Sequence, residues 1–282
     1  MTVSEYLNSL KQKRVAVIGI GVSNTPLIHM LVRAGIDVTA CDKNTREGLG
    51  RIADEFESLG VHLQLGENYL EGLNHDVIFR TPGMRPDVPA LEAARNNGAE
   101  VTSEMEVFFK VCPCKMIAVT GSDGKTTTTT IISELLKAAG YRVHVGGNIG
   151  KPLLPDAEQM EKDDIAVLEL SSFQLMTMSQ SPDIAVVTNV TPNHLDVHKS
   201  MDEYIEAKEN LFRFQTEDGL AIFNFDNEIT RVFEENVRSR TVLFSRKNEL
   251  RNGVYVKDDA IWSCDREVLK LSDILLPGTH NV

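Results

Sequence analysis

The sequence predicts an α/β protein of two domains, a Rossmann-like N-terminal domain followed by a P-loop domain with a mostly parallel sheet. Short β-branched apolar runs alternate with helical segments along most of the chain, which is typical of parallel sheets with helices on both faces. Glycine-containing strand–turn–helix units occur near residues 20 and 121. The length of 282 residues fits two domains, at about 150 residues each.

The boundary between the two domains is predicted near residue 112. A Cys-Pro-Cys-Lys segment at 112–115 separates a predicted helix at 104–110 from the next apolar strand, which gives domains 1–112 and 113–282. The tail at 241–271 consists of short alternating segments, and these favour antiparallel strands at a sheet edge.

The composition limits the classes of partner. A formal net charge of −12 argues against a general binder of nucleic acid or of anionic membranes. No signal peptide is recognisable, and no apolar run is long enough to span a bilayer. We therefore expect a cytoplasmic protein without nucleic-acid or membrane partners.

The four cysteines are Cys41, Cys112, Cys114 and Cys264. The Cys-Pro-Cys spacing lacks the usual zinc-ligand pattern and a matching second pair. We expect reduced thiols with neither a metal nor a redox role.

The first strand–turn–helix unit occupies residues 14–41 and contains Gly19-Ile-Gly21 in its turn. Asp42 follows about twenty residues later, as in dinucleotide-binding βαβ units. By itself this pattern suggests NAD, although Asn24 stands where the third glycine of that pattern belongs. The alternatives are another ligand with a phosphate or ribose, or simply a tight turn between strand and helix.

The second unit, at 116–139, has the layout of a phosphate-binding loop. Gly121 and Gly124 let backbone N–H groups approach phosphate oxygens, Lys125 adds a positive charge, and Thr126 supplies a hydroxyl for Mg²⁺. The sequence fits a shorter Gly-x-x-Gly-Lys-Thr form of the motif. The alternative is an ordinary helix N-terminus that happens to contain Gly-Lys-Thr.

Further polar residues follow the predicted strands, where ligands of open parallel sheets bind. Gly83 lies in a Thr-Pro-Gly turn, and Asn148 lies in a Gly-Gly-Asn-Ile-Gly loop. Glu169 ends an apolar strand, and is either a Mg²⁺ ligand or a carboxylate bonded to loop amides. His194 follows the next strand, and is either part of the same site or a loop histidine bonded to backbone.

A helix is predicted to begin at Ser200, with Glu203 completing a capping box. Lys208 lies in the middle of the apolar stripe of this helix. One interpretation is a buried lysine with a lowered pKa, whose neutral amine can add CO₂ to form a carbamate. The other interpretation is that the aliphatic stem of Lys208 runs along the protein surface and carries the ammonium group to solvent. The stripe itself is formed by Tyr204, Ile205, Leu211 and Phe212.

Five sequence segments, in this order, resemble the Mur ligases. They are Thr-Gly-Ser-Asp-Gly-Lys-Thr at 120–126, Gly-Asn-Ile-Gly at 147–150, Leu-Glu-Leu-Ser-Ser-Phe-Gln-Leu at 168–175, Asn-Val-Thr-Pro-Asn-His-Leu-Asp at 189–196 and Ala-Lys at 207–208. The resemblance covers nearly the whole chain. The 168–175 segment, together with the Gly-x-Gly domain, is similar to the branch that adds D-glutamate.

The resemblance implies an ATP-dependent ligase of peptidoglycan precursor synthesis. In that family ATP phosphorylates a substrate carboxylate, and the amine of an amino acid attacks the acyl phosphate to give an amide. The implied partners are UDP-N-acetylmuramoyl-L-alanine, ATP and D-glutamate, and a monomer is expected. The implied cofactors are ATP and Mg²⁺ at two sites, one through carbamylated Lys208.

The resemblance also implies roles for individual residues, which displace the NAD interpretation of the first turn. The implied catalytic residues are Lys125, Glu169, His194 and Lys208. The implied ATP-binding residues are Gly121, Ser122, Asp123, Gly124, Lys125, Thr126, Thr127 and Asn281. The implied substrate-binding residues are Gly21, Val22, Ser23, Asp42, Gly83, Asn148, Ser171 and His194. The implied metal ligands are Thr126, Glu169, His194 and Lys208.

The sequence departs from the family pattern in two places. Asn193 stands where the family often has an acidic residue, and the family continues beyond the equivalent of residue 282 with a C-terminal domain that carries the amino-acid site. We therefore expect this chain to bind the UDP substrate and to be inactive alone. The alternatives are a UDP-sugar-binding module or sensor without catalysis, and an NAD-dependent oxidoreductase.

Overall fold

The computed structural model describes residues 1–193, 197–276 and 278. The chain forms two compact units, Met1–Cys114 with Val145–Asp164, and Lys115–His144 with Ile165–Val282. The chain thus first leaves the N-terminal unit after residue 114, whereas the sequence places the boundary near 112. The segment 145–164 also differs from the predicted division, because it belongs to the N-terminal unit. One contact that ties it there is the N–H of Leu154, which donates to the Glu104 carboxylate at 2.7 Å.

The N-terminal unit contains a five-stranded parallel sheet with helices between its strands. The strands are β1 (Val15–Ile18), β2 (Val38–Asp42), β3 (His62–Leu65), β4 (Val77–Phe79) and β5 (Glu100–Thr102). The helices are α1 (Val3–Leu10), α2 (Asn24–Arg33), α3 (Arg46–Leu49), α4 (Arg51–Ser58), α5 (Pro89–Asn96) and α6 (Glu104–Val111), with a 3₁₀ helix at Leu154–Gln159.

The strand order of this sheet is β3-β2-β1-β4-β5. All four neighbouring pairs are parallel. The order reverses between β1 and β4, so their carboxyl ends form the crevice in which ligands of doubly wound sheets bind. The Gly19–Gly21 turn follows β1 and the 81–83 turn follows β4.

The second sheet has nine strands in the order β14-β13-β12-β11-β10-β9-β6-β8-β7. These are β6 (Lys115–Thr120), β7 (Val143–Gly147), β8 (Ile165–Glu169), β9 (Ile184–Val187), β10 (Leu220–Asn224), β11 (Arg240–Ser245), β12 (Gly253–Lys257), β13 (Ala260–Ser263) and β14 (Arg266–Lys270). The helices are α7 (Lys125–Ala138), α8 (Ser172–Leu175) and α9 (Met201–Glu209), with 3₁₀ helices at Thr230–Asn236 and Leu271–Asp273.

The central strands of this sheet, from β8 through β6, β9, β10 and β11 to β12, pair in parallel. The last two pairs, β12 with β13 and β13 with β14, are antiparallel. The predicted antiparallel edge is therefore confirmed for β12–β14, whereas β11 extends the parallel part.

Burial follows the pattern expected of parallel sheets, whose strands are covered on both faces. Every residue of β1 and of β8 is buried. None of the helices in the described ranges combines the length and the apolarity that crossing a bilayer requires.

Candidate nucleotide and substrate sites

The phosphate loop connects β6 to α7 and is built around two glycines. Gly121 has φ 154°, and a Cβ there would lie 1.9 Å from the Thr188 hydroxyl oxygen. Gly124 is the N-cap of α7 with φ 80°, a left-handed conformation that side chains disfavour. The loop therefore leads directly into the N-terminus of a 14-residue helix, whose first N–H groups favour anions.

The segment after β9 holds this loop in shape. The N–H of Ser122 donates to the Asn189 carbonyl at 2.9 Å. The N–H of Asp123 donates to Asn189 Oδ1 at 2.9 Å, and the Thr188 hydroxyl donates to the Asp123 carbonyl at 2.6 Å. These bonds fix the loop backbone independently of a ligand. Neither Thr188 nor Asn189 is predicted from the sequence as a functional residue, although Asn189 begins one of the segments that resemble the family.

Lys125 and Thr126 lie where the motif predicts. Lys125 Nζ donates to the carbonyls of Gly121 and Ser122 at 3.0 Å each, so its charge lies over the loop. The Thr126 hydroxyl donates to Glu169 Oε2 at 2.6 Å. Thr127, the next residue of α7, is exposed.

Glu169 reaches Thr126 because β8 lies beside β6, with Val119 opposite Glu169 in the strand register. The side chain is buried at the end of β8. A hydroxyl and a carboxylate oxygen in contact are hard donors of the kind that Mg²⁺ prefers, so the residues present fit this ion. In the described part of the chain, no three His, Cys, Asp or Glu side chains gather into a metal cluster.

Lys208 is buried, with 1% of its surface exposed. This burial excludes a stem that runs out to solvent and agrees with the interpretation of a buried lysine. Its Nζ donates to the Gly121 carbonyl at 2.8 Å and lies 4.5 Å from the centre of the Tyr204 ring. Burial, and then the Lys125 charge, lower the pKa of Lys208 to about 7, against an opposing effect of Asp123.

Helix α9, which carries Lys208, begins as the sequence predicts but with a different cap. The Ser200 hydroxyl accepts the N–H of Glu203 at 3.1 Å. The Glu203 carboxylate accepts the N–H of Lys199 at 2.7 Å, one residue before the position that a capping box uses.

Tyr204 connects α9 to the phosphate loop, which sequence reasoning missed. Its hydroxyl lies 3.0 Å from the Ser122 hydroxyl, which in turn donates to the Thr191 carbonyl. Its ring packs edge-on against His198, whose Nε2 lies 2.9 Å from the Ser172 hydroxyl. The only local signal was the apolar stripe, which indicates burial and not a hydroxyl partner 82 residues away.

Ser171 is the N-cap of α8 and forms a capping box with Gln174. His194 and Asn281 lie outside the described residues.

In the N-terminal unit, Asp42 fixes the first glycine turn. Its carboxylate accepts the N–H groups of Ile20 at 2.6 Å and Asn44 at 2.8 Å. Asn24, at the position of the third glycine, donates from Nδ2 to the Ile18 carbonyl at 2.8 Å. Gly19 has φ 92°, and this glycine turn packs against the turn after β4, since a Cβ on Gly19 would meet Thr81 Cβ at 3.0 Å.

The predicted substrate residues of this turn lie at its surface. Gly21 is exposed, Val22 exposes 81% of its surface, and Ser23 is the N-cap residue of α2. Gly83 lies in the neighbouring turn and is exposed. Asn148, in the 146–150 loop of this unit, is also exposed.

Arg80 shapes the turn that contains Gly83, a role that the sequence analysis did not foresee. Its side chain is 1% exposed, and Nη1 donates to the carbonyls of Pro82 at 3.3 Å and Met84 at 3.0 Å. Burial lowers the pKa of Arg80, and the charge of Glu106 opposes this effect.

Fold and site together define an α/β protein with a Rossmann-like unit and a phosphate-loop unit, in which a buried lysine contacts the loop. Family models agree with this class. The Mur ligase middle domain matches residues 119–282, and the Mur ligase MurD-like N-terminal domain matches residues 13–103. The chain belongs to the Mur ligase family, which confirms the family and the fold class predicted from the sequence.

Two curated relatives are UDP-N-acetylmuramoylalanine–D-glutamate ligases. The chain is 52% identical over 282 residues to that of Clostridium novyi (strain NT), covering 100% of this chain and 62% of the relative. It is 52% identical over 285 residues to that of Acetivibrio thermocellus, covering 99% of this chain and 61% of the relative. The chain therefore spans less than two thirds of the length of these relatives.

Solved structures share the fold at lower identity. The UDP-N-acetylmuramate:L-alanyl-gamma-D-glutamyl-meso-diaminopimelate ligase of Neisseria meningitides has a TM-score of 0.62 and 19% identity, covering 95% of this chain and 89% of that one. The UDP-N-acetylmuramate-alanine ligase MurC of Thermotoga maritima has a TM-score of 0.56 and 21% identity, covering 96% and 62%.

Proposed function

We propose that this chain binds UDP-N-acetylmuramoyl-L-alanine and ATP for the ligation of D-glutamate through an acyl phosphate. The observation that carries the proposal is the buried Lys208 on the Gly121 carbonyl of the phosphate loop. A buried lysine with a lowered pKa at a nucleotide loop serves a ligase that needs a second metal position, whereas a binding module has no use for it. The names of the relatives at 52% identity supply the substrate class.

The geometry of the loop supports the proposed roles of the loop residues. The α7 N-terminus and Lys125 would hold the ATP phosphates, and Thr126 with Glu169 would hold Mg²⁺. Bound Mg²⁺ would offset the charge between nucleotide and acceptor carboxylate. Ser122, Asp123, Gly124 and Thr127 complete the proposed phosphate contacts, and Asn281 is the proposed contact for the base.

Lys208 would act as a carbamate. Its neutral amine adds to CO₂ and loses one proton, which leaves a carboxylate on the lysine arm. The carbamate nitrogen keeps one hydrogen, so it can still donate to the Gly121 carbonyl. The carbamate and His194 are the proposed ligands of the second Mg²⁺.

The first glycine turn is the proposed UDP site. Gly21 and Ser23 lie at the start of α2, where N–H groups favour phosphate, and the exposed Val22 offers an apolar surface to a base. Asp42 and Gly83 complete this set. Asn148 and Ser171 are proposed contacts for the rest of the substrate. We also propose that the protein is a cytoplasmic monomer.

Calorimetry tests the substrate assignment. The chain is titrated with UDP-N-acetylmuramoyl-L-alanine, with UDP, and with NADH as the control for a dinucleotide fold. We expect both UDP compounds to bind and NADH not to bind. Binding of NADH alone would replace the proposal by an oxidoreductase, and no binding of either UDP compound would reject the UDP site.

Isotope exchange separates a ligase from a sensor. ATP labelled with ¹⁸O in the β,γ-bridge loses its positional label only if the γ-phosphoryl group is reversibly transferred to the acceptor. We expect no ligation of D-glutamate by this chain alone, whereas the phosphoryl-transfer step should give scrambling that requires UDP-N-acetylmuramoyl-L-alanine, Mg²⁺ and CO₂. Tight UDP-sugar binding with an unchanged label would favour the binding module.

The carbamate has its own spectroscopic test. With ¹³C-bicarbonate, we expect one carbamate carbon signal in the wild-type chain and none in Lys208→Met. A signal of equal size in Lys208→Met would place the carbamate on another amine.

A further inference from the structure

We propose that Cys112 and Cys114 form a redox-modification site, a dithiol that a peroxide converts into an intramolecular disulfide. The two Sγ atoms lie 3.6 Å apart, and the Cys112 thiol lies 3.5 Å from the Cys114 carbonyl oxygen. Both residues belong to the N-terminal unit. Cys112 caps the C-terminus of α6, and Cys114 directly precedes β6, so the pair occupies the short connector between this helix and this strand.

The geometry brings the sulfur atoms close before any oxidation. A disulfide has its sulfurs about 2.05 Å apart, so the two Sγ atoms need to approach by about 1.5 Å. Pro113 restricts the backbone between them, because its ring fixes φ. The thiols therefore face each other as a consequence of the connector's own conformation.

The two cysteines differ in exposure, which gives each a distinct part in the reaction. Cys112 is partly exposed, whereas Cys114 is 7% exposed. The Cys112 thiolate attacks one oxygen of hydrogen peroxide, the O–O bond breaks, and hydroxide leaves, which gives a sulfenic acid. The Cys114 thiolate then attacks the Cys112 sulfur, the S–O bond breaks, and hydroxide leaves. Each of the two hydroxides takes up one of the protons that the thiols released. In total, two thiols and one peroxide give one disulfide and two waters.

The other two cysteines provide contrasts within the same chain. Cys41 is buried in β2, and this burial raises the pKa of its thiol to about 12. Cys264 is exposed in the turn between β13 and β14. Exposure alone would direct the oxidant to Cys264, whereas the paired arrangement at 112 and 114 predicts a cross-link there. This proposal departs from the sequence-based expectation of reduced thiols without a metal or redox role. That expectation used the absence of zinc-ligand spacing, which has no bearing on a two-sulfur site.

The disulfide would be easy to reduce. It closes a ring across a single intervening residue, and strained disulfides are more oxidising and more labile than structural ones. The modification is therefore reversible by a dithiol reductant. It constrains the connector between α6 and β6 in the oxidised form only.

Mass spectrometry of the whole reduced chain tests the proposal. After treatment with one equivalent of hydrogen peroxide, we expect the loss of two hydrogens and a fall in titratable thiols from four to two. We expect a peptide map that links Cys112 to Cys114, and dithiothreitol should restore four thiols. Cys41→Ser and Cys264→Ser should form the same link.

Two variants remove one sulfur each. Cys112→Ser should abolish the link, and Cys114→Ser should trap the Cys112 sulfenic acid for labelling by dimedone. Because Cys114 is buried, its substitution could impair folding, and Cys112→Ser then carries the test by itself. Oxidation of Cys264 with an unlinked 112–114 pair would overturn the proposal, as would sulfinic acid at Cys112 in the wild-type chain.

Discussion

Lys125 and Lys208 donate to the same acceptor, the carbonyl oxygen of Gly121, at 3.0 and 2.8 Å. One lysine begins α7 and the other lies in α9, so two cations from distant parts of the sequence meet at one loop oxygen. Burial of Lys208, and then the neighbouring charge of Lys125, disfavour the protonated amine of Lys208 and lower its pKa. The amine of Lys208 is therefore deprotonated more readily than that of an exposed lysine.

The lowered pKa of Lys208 predicts a pH dependence of stability. The pKa falls from 10.5 to about 7 on folding, so between these values the unfolded chain binds more protons than the folded chain. The free energy of unfolding should therefore rise with pH across this range, by about 1.4 kcal/mol per pH unit at most. Urea denaturation of the wild-type chain and Lys208→Met at several pH values measures the slope.

Lys208→Met keeps the volume of the stem and removes the titrating amine, so its unfolding free energy should show a flatter pH profile. Lys137→Met, at an exposed position of α7, is the control and should keep the wild-type slope. Equal slopes in wild type and Lys208→Met would contradict a buried, titrating amine.

Gly121 should tolerate no side chain. A Cβ there would lie 1.9 Å from Thr188 Oγ1, and the φ of 154° adds backbone strain. We expect Gly121→Ala to lower the free energy of unfolding by about 3 kcal/mol and to weaken ADP binding. Thermal unfolding and calorimetry measure the two effects.

Gly21→Ala is the matched control, because a Cβ there would meet nothing within 4 Å. Its stability should stay within about 0.5 kcal/mol of wild type, with ADP binding unchanged. If Gly121→Ala matched this control in both stability and ADP binding, the phosphate loop would accommodate a side chain that its contacts indicate it cannot.

Local signals in the sequence were sufficient to place the phosphate loop on its elements. The apolar run at 116–119 and the helix at 126–139 correspond to β6 (Lys115–Thr120) and α7 (Lys125–Ala138). Glycines mark the ends of both elements, and glycine acts through its own backbone. Glycines of this kind can be recognised in the sequence without knowledge of contacts between distant residues.

The burial and the hydrogen-bond partner of Lys208 could not be predicted from the sequence of α9, because both depend on the residues that pack against this helix. The acceptor of its amine, Gly121, is 87 residues away in sequence. The placement of 145–164 in the N-terminal unit could not be predicted for the same reason. It involves a hydrogen bond between Leu154 and Glu104, which are 50 residues apart in sequence. Helix periodicity indicates which face of a helix is buried, but it does not indicate which polar atom of another element lies against that face.

Asp123 places a carboxylate in a loop that is suited to anions. Its backbone is fixed by Asn189 and Thr188, and its side chain is exposed. Asp123→Asn keeps the shape and removes the negative charge, so ADP should bind more tightly without Mg²⁺. At low salt a gain of about 1 kcal/mol corresponds to a factor of about 5 in the dissociation constant.

Calorimetry with ADP in the presence of a chelator measures this change, and raising the salt concentration should reduce it. Glu134→Gln, on α7 away from the loop, removes the same net charge and should have little effect. A gain of equal size in Glu134→Gln would assign the effect to overall charge and not to the loop.

Glu104 predicts a pH dependence opposite to that of Lys208. It is buried in the first turn of α6, and burial raises its pKa from 4.5 to about 7. Between these values the folded chain holds a proton that the unfolded chain has lost, so the free energy of unfolding should fall as pH rises from 4.5 to 7. The full difference is about 3 kcal/mol.

Glu104→Gln resembles the protonated carboxyl, and its amide oxygen can still accept the N–H of Leu154. We expect this variant to lose the decline in stability between pH 4.5 and 7 while keeping the wild-type fold at low pH. Glu92→Gln, at an exposed position of α5, should retain the decline. Denaturant titrations at matched salt concentration measure all three proteins, and a decline that persists in Glu104→Gln would mean that another carboxyl group is responsible.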